Sequence, residues 1–137
     1  MPSTSRSLPK LLLDTHALIW WLEDSPRLGP CARDLIADPI NQVLFSIVSL
    51  WEIAIKARLG KLHIDVELTN RAALSGGLDP LPISPAHLFA LRALPTHHND
   101  PFDHLLIAQS MIEGATLVSD DTRIARYDIE LITCRDT

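Results

Sequence analysis

The chain is predicted to be an α/β protein: a mainly parallel sheet of about four to five strands with helices on both faces. Short apolar runs bounded by acids, glycines or prolines alternate with stretches of helical character, the order that produces a parallel sheet. The strand-like runs LPKLLLD and QVLFS lack a polar residue at every second place, so they suit strands buried on both sides. At 137 residues the chain is long enough for one substantial core and leaves little room for a second.

The elements follow in order. Met1 to Pro9, with three serines and two prolines, reads as a loose leader, so one domain is expected over residues 10–137. Lys10 to Leu13 is a short apolar strand ended by Asp14, and Thr15 to Leu22 continues as helix. Gly29 and Pro30 open a second helix through Asp38, closed by Pro39 and Asn41. Gln42 to Ser46 is the second strand. From Val48 to Leu59 a helix is expected in which Ser49, Glu52 and Lys56 form one polar stripe, and Gly60 ends it. Val66 to Ser75 is a helix stopped by Gly76 and Gly77. Leu78 to Ile83 carries Pro80 and Pro82 and can only be a short edge strand. Ser84 to Leu94 is a helix with a serine cap and Pro85 at its first position. Pro101 to Glu113 is the next helix, Ala115 to Ser119 a strand, and Ile129 to Thr133 the last strand.

Composition narrows the function. The formal charge of −5 argues against a broad basic surface for nucleic acid, although local lysines, arginines and a bound metal can still attract a polyanion. Cys31 and Cys134 stand alone without CxxC spacing, which suits buried thiols in a reducing compartment. The segment LLLDTHALIWWL is interrupted by Asp14 and His16 and is far shorter than the roughly 20 apolar residues of a membrane span. It also lacks a signal-peptide cleavage pattern, so a cytoplasmic location is expected. There is no GxxxxGK[ST], GxGxxG or GxSxG segment.

Four acids mark the ends of strands and helices: Asp14, Glu52, Asp103 and Asp121. In a parallel α/β sheet ligands bind beyond the carboxyl ends of the strands, where Asp14 and Asp121 belong. Each acid also has a structural reading. Asp14 can cap the helix it precedes. Asp100-Pro101-Phe102-Asp103 and Ser49-x-x-Glu52 have the form of capping boxes, Glu52 can pair with Lys56, and Asp120 or Asp121 can cap a short helix containing Ile124. Four independent caps have no reason to converge, whereas the inferred sheet brings all four segments to one rim. Two carboxylates about 5 Å apart repel by roughly 3 kcal/mol at an effective dielectric near 20, and a divalent cation relieves this. Oxygen donors without a Cys or His cluster fit Mg²⁺ or Mn²⁺ rather than zinc. His97-His98 lies in a proline-flanked loop with neither Cx₂C nor HExxH spacing. Metal-assisted attack on a phosphodiester is the chemistry these residues suit.

The segments LLLDTHALIWWL, VLFSIVSLWEIAIKARLGKL, LPTHHNDPFDHLLIAQS and ATLVSDDTRIARY, taken in order, resemble the PIN-domain ribonucleases, particularly VapC-type toxins. The resemblance runs from about Lys10 to Ile132 and implies a PIN-like three-layer α/β/α sandwich. It implies that Asp14, Glu52, Asp103 and Asp121 hold Mg²⁺ or Mn²⁺ and activate water to cut RNA, leaving 5′-phosphate and 3′-hydroxyl ends. By the same resemblance Asp14 and Asp103 anchor the ion most directly, and Glu52 and Asp121 act through water. Thr15 and Ser119 match supporting hydroxyl positions, and Asp100 an auxiliary acid. In SDD the family's spacing selects Asp121, with Asp120 a helper or a cap. A VapB-like antitoxin, whose C-terminal segment covers the site, and a homodimer are the implied partners. Lys56 is the favoured phosphate contact, ahead of Arg58, Lys61 and Arg92. Trp20, Trp21 and Trp51 are divided between core and contacts. A receiver-like signalling domain is disfavoured, because Asp14 has no adjacent acid and no lysine follows Lys61. A PIN-like module that binds without cutting would lack one of the four acids, and none is missing.

Overall fold

Three consecutive leucines explain the layering of the chain. In the computed structural model, which describes residues 9–134, Leu11, Leu12 and Leu13 of strand β1 (Lys10–Leu13) are all buried. Leu11 and Leu13 join one core cluster and Leu12 the other. Side chains alternate across a strand, so an unbroken apolar run must be covered on both faces. Each such leucine contributes roughly 1.5–3 kcal/mol by leaving water.

The sheet has the order β3-β2-β1-β4-β5 and every pairing is parallel. The other strands are β2 (Gln42–Ser46), β3 (Asp79–Leu81), β4 (Thr116–Ser119) and β5 (Leu131–Thr133). Six helices connect them: α1 (Thr15–Leu22), α2 (Pro30–Ala37), α3 (Ile47–Arg58), α4 (Val66–Ser75), α5 (Pro85–Arg92) and α6 (Pro101–Glu113). Ala17 and Leu18 of α1, Ala32 and Ile36 of α2 and Ala73 of α4 pack with Leu11 and Leu13 on one face. Val48 of α3 and Leu105, Leu106 and Ile107 of α6 pack with Leu12, Leu44 and Leu117 on the other. The expected three-layer α/β/α arrangement is therefore observed.

The chain leaves β1 towards β2 and β3, then returns past β1 to β4. Strand order reverses between β1 and β4, which opens a crevice at their carboxyl ends. The N–H of Asp14 donates to the Val118 carbonyl at 3.0 Å and holds the end of β1 against β4 at that place. Buried Gln109 of α6 accepts from the Ser46 hydroxyl and donates to the Pro82 carbonyl, fixing α6 against the ends of β2 and β3. Gly114, at φ 64°, closes α6 in the left-handed conformation that a side chain disfavours.

The structure adjusts several boundaries. Helix α3 begins at Ile47, with Ser46 rather than Ser49 beside its start, since the Ser46 hydroxyl accepts from Val48 N–H. Strand β3 is held to three residues by its prolines. The segment around Ile124 is a 3₁₀ turn (Ile124–Arg126). Cys134 is buried and its thiol pushed up to about 12, chiefly by burial, but Cys31 is exposed, so the expectation of two buried thiols holds for one. The leader lies outside the described residues except Pro9, whose carbonyl accepts from Gln42 N–H. No helix among the described residues is long and apolar enough to cross a membrane.

Candidate active site

Asp14 is the residue at which β1 stops and α1 starts. Its Oδ1 accepts the Ala17 N–H at 2.8 Å, so the capping reading is correct, and its N–H is paired to β4, so the same residue faces the sheet crevice. Burial raises its carboxyl to about 6, assisted by the charge of Glu52 and opposed by the Ser119 hydroxyl, the Ala17 N–H and His16.

Glu52 lies on the buried side of α3. The Thr15 hydroxyl donates to its Oε1 at 2.6 Å and Lys56 Nζ to its Oε2 at 2.6 Å. The Ser49 hydroxyl is 3.0 Å from that of Thr15, so Ser49 braces Thr15 instead of capping α3. Glu52 is thereby fixed by one residue from α1 and one from its own helix.

Asp103 occupies the first turn of α6. Asp100 caps that helix, its Oδ1 accepting from the N–H groups of Phe102 and Asp103 at 3.0 and 3.2 Å. The Asp103 carboxylate does not complete a capping box: its Oδ2 lies 3.3 Å from His98 Nε2. Burial, followed by the charges of Asp100, Asp14, Asp121 and Glu52, raises its carboxyl to about 8. Asp100, Asp14, Asp121 and Glu52 thus all act on Asp103, and segments far apart in the chain meet here.

Asp121 follows β4 and receives its N–H bond partner from Ser119, whose hydroxyl accepts the Asp121 N–H at 3.1 Å. Its carboxylate accepts from Arg123 Nε at 3.0 Å, Nη2 at 2.7 Å and the Arg123 backbone N–H at 2.9 Å. These bonds hold it down at about 2, the opposite direction from Asp14 and Asp103. A cleft of about 500 Å³ lined by Lys56, His98, Asn99, Asp100, Phe102 and Arg123 opens beside the acids.

The donor set suits a hard divalent cation: carboxylates dominate, and no thiolate takes part. Among the described residues, one atom each from His98, Asp103 and Asp121 lie within 4.8 Å of one another. Burial, with the neighbouring carboxylates, raises Asp14 and Asp103, and a divalent cation would offset both effects.

The family model of the PIN domain matches residues 11–130, a span that contains all four acids. The chain belongs to the PIN domain family. Ribonuclease VapC22 of Mycobacterium tuberculosis (strain ATCC 25618 / H37Rv) is similar to this PIN domain, 26% identical over 119 residues that cover 85% of this chain and 91% of that one. VapBC2 from Rickettsia felis, bound to a DNA fragment from its promoter, has a similar fold: the TM-score is 0.67 at 19% identity, over 90% of this chain and 98% of that one. The fold is also similar to DNA-bound VapBC from Salmonella typhimurium, at a TM-score of 0.66 and 14% identity, over 93% of this chain and 99% of that one.

Within the PIN domain, Thr15 and Ser119 are buried beside the acids they were paired with, and Lys56 reaches both Glu52 and the cleft. Arg58, Lys61 and Arg92 are exposed and none of them lines that cleft. Trp20 and Trp21 pack on the core, while Trp51 is 48% exposed and meets Phe102 edge to face at 4.9 Å. Sequence reasoning missed His98, Arg123 and Tyr127. His98 lacks zinc-ligand spacing, and its position five before Asp103, across a helix cap, is the available signal. Arg123, two residues after Asp121, is at the spacing of an Asx turn. Nothing local marks Tyr127, whose hydroxyl reaches His97 N–H and His98 through the tertiary fold.

Proposed function

We propose that this PIN domain is a divalent-metal-dependent endoribonuclease, the toxin of a toxin–antitoxin pair, with residues 10–137 as one nuclease unit. The observation that carries the reading is the meeting of Asp14, Glu52, Asp103 and Asp121 at the switch point of a parallel sheet, beside an open cleft. Membership of the PIN domain family supports it, as does the likeness to a protein named as a ribonuclease.

Asp14, Glu52, Asp103 and Asp121 would hold Mg²⁺ or Mn²⁺, which when bound polarises the phosphoryl oxygen and lowers the pKa of the attacking water. The protein's own groups do the rest. Thr15 keeps Glu52 oriented by donating to it, and Ser119 and the Ala17 N–H steady Asp14 and the turn to Asp121. Glu52 and Asp121 orient the water that attacks phosphorus. A new O–P bond forms, the bond to the 3′-oxygen breaks, and that oxygen leaves with a proton, giving 5′-phosphate and 3′-hydroxyl ends. Lys56 and Arg123 line the cleft and offer positive charge to flanking phosphates, with Lys56 the main RNA contact.

The solved relatives are VapBC complexes, and we extend to this chain a VapB-like antitoxin that covers the cleft. Homodimer formation and a cytoplasmic location belong to the same proposal. The experiment that tests it is cleavage of a mixed RNA pool by purified chain with Mg²⁺ or Mn²⁺, against EDTA and Asp14→Asn. Metal-dependent cutting lost in the variant is expected. A folded, antitoxin-free protein that cuts neither transfer nor ribosomal RNA would overturn the nuclease reading in favour of a binding module.

A further inference from the structure

The four acids leave one buried imidazole at their edge without a role. His98 is 7% exposed and is held through ring and backbone: Nε2 lies 3.3 Å from Asp103 Oδ2, Nδ1 lies 2.9 Å from the Tyr127 hydroxyl, and the His98 carbonyl accepts from His104 Nε2 at 2.6 Å. We infer that His98 Nε2 is a donor to the divalent cation of this site, beside Asp103 and Asp121, giving the site one nitrogen among its oxygens and a preference for Mn²⁺ over Mg²⁺. The inference rests on the metal-dependent reading above and adds to it a ligand outside the acidic set.

Three observations carry it. A ring nitrogen of His98 and carboxylate oxygens of Asp103 and Asp121 lie within 4.8 Å of one another, so small side-chain adjustments let one ion draw all three. A ligating histidine donates its other ring N–H to an oxygen that fixes the tautomer, and the Tyr127 hydroxyl, 2.9 Å from His98 Nδ1, is placed for that role. Its hydroxyl already accepts the His97 N–H at 3.2 Å, and a phenol oxygen has room for a second donor, the Nδ1–H of His98. With Nδ1–H on the phenol oxygen, Nε2 presents its lone pair on the side of Asp103 Oδ2, 3.3 Å away, where one cation can take both atoms as ligands. Imidazole is a softer donor than carboxylate, and Mn²⁺ accepts one nitrogen more readily than Mg²⁺, which is harder and dehydrates reluctantly.

The test is Mn²⁺ bound to the full chain, read by electron spin-echo spectroscopy, which detects nitrogen bonded to the ion independently of turnover. The expected result is modulation from a single imidazole nitrogen, altered by ¹⁵N-histidine labelling and lost in His98→Gln. Mn²⁺ affinity should fall at least about tenfold in that variant, and Mg²⁺ affinity by less. Tyr127→Phe keeps the ring but removes its brace, and should weaken Mn²⁺ binding while retaining the nitrogen signal. If His98→Gln does not fold, the labelled wild type and Tyr127→Phe decide the matter. Wild-type Mn²⁺ bound with oxygen ligands only, or a nitrogen signal that survives in folded His98→Gln, overturns the inference and leaves the metal site standing. Absence of any Mn²⁺ binding overturns both.

Discussion

The Thr15 hydroxyl donates to Glu52 Oε1 at 2.6 Å, across 37 positions of sequence, and joins the residue after the first acid to the second. Both side chains are buried, so the bond is not shared with solvent. It couples the orientation of an α3 carboxylate to the strand end that carries Asp14. Thr15→Val keeps the shape and removes the donor. An unsatisfied buried acceptor costs about 1–3 kcal/mol, so the variant should melt earlier by several degrees, with RNA cleavage reduced at least about tenfold. Thr15→Ser should restore both. Thermal melts and cleavage rates of the pair check this, and a fully active Thr15→Val would remove Thr15 from the site.

Asp14→Asn separates stability from activity. At neutral pH the buried carboxylate is ionised against its preference, since its pKa is raised to about 6, and the amide oxygen can still accept the Ala17 N–H. The metal-free variant should be as stable as the wild type or more so, and cleavage should fall by about two orders of magnitude or more. Full activity in a folded Asp14→Asn would refute the site.

The pH dependence of the metal-free protein follows from Asp103. Its folded pKa is about 8 against an unfolded value of 3.8. Between those values the folded chain holds a proton that the unfolded chain has released, so stability falls as pH rises, by up to about 1.4 kcal/mol per unit for this group, and levels off above 8. Asp14 adds the same trend up to about 6. Asp121 runs the other way: its contribution is present above the unfolded value and is lost as pH falls through about 2. Melting in EDTA at pH 5, 7 and 9 should show a decline that is steeper from 5 to 7 than from 7 to 9, and millimolar Mn²⁺ should lift the pH 9 value most. A flat EDTA profile would mean that these acids are not crowded.

Lys56 has two roles to separate. It pairs with Glu52 and it lines the cleft. Lys56→Gln should weaken RNA binding and lower the slope of log affinity against log salt by about one phosphate contact. Fluorescence anisotropy with single-stranded RNA at several salt concentrations measures the slope. Unchanged affinity and slope would confine Lys56 to holding Glu52.

The order of strands and helices was legible because local rules agree along this chain. Prolines stand at helix starts, Gly60, Gly76 and Gly114 at helix ends, and uninterrupted apolar runs mark strands buried on both faces. Boundaries moved where a tertiary bond intervened: Ser46 takes the start of α3 while Ser49 is drawn to Thr15. The capping readings of Asp14 and Asp100 and their place beside the cluster proved compatible. A helix start at the end of a parallel strand supplies both the N–H groups and the position.

By itself, the sequence determined the α/β class, the element order and the candidate acids, because periodicity, caps and turn residues act over a few neighbours and can be read in place. Only the tertiary structure decided which acids are crowded and which is neutralised. Asp103 is pushed up by burial and by partners drawn from three other segments, while Asp121 is pulled down by Arg123. It alone brought His98 to Asp103 and Tyr127 behind His98. Burial and Coulomb interactions depend on distance through space, and spacing along the chain does not encode that distance.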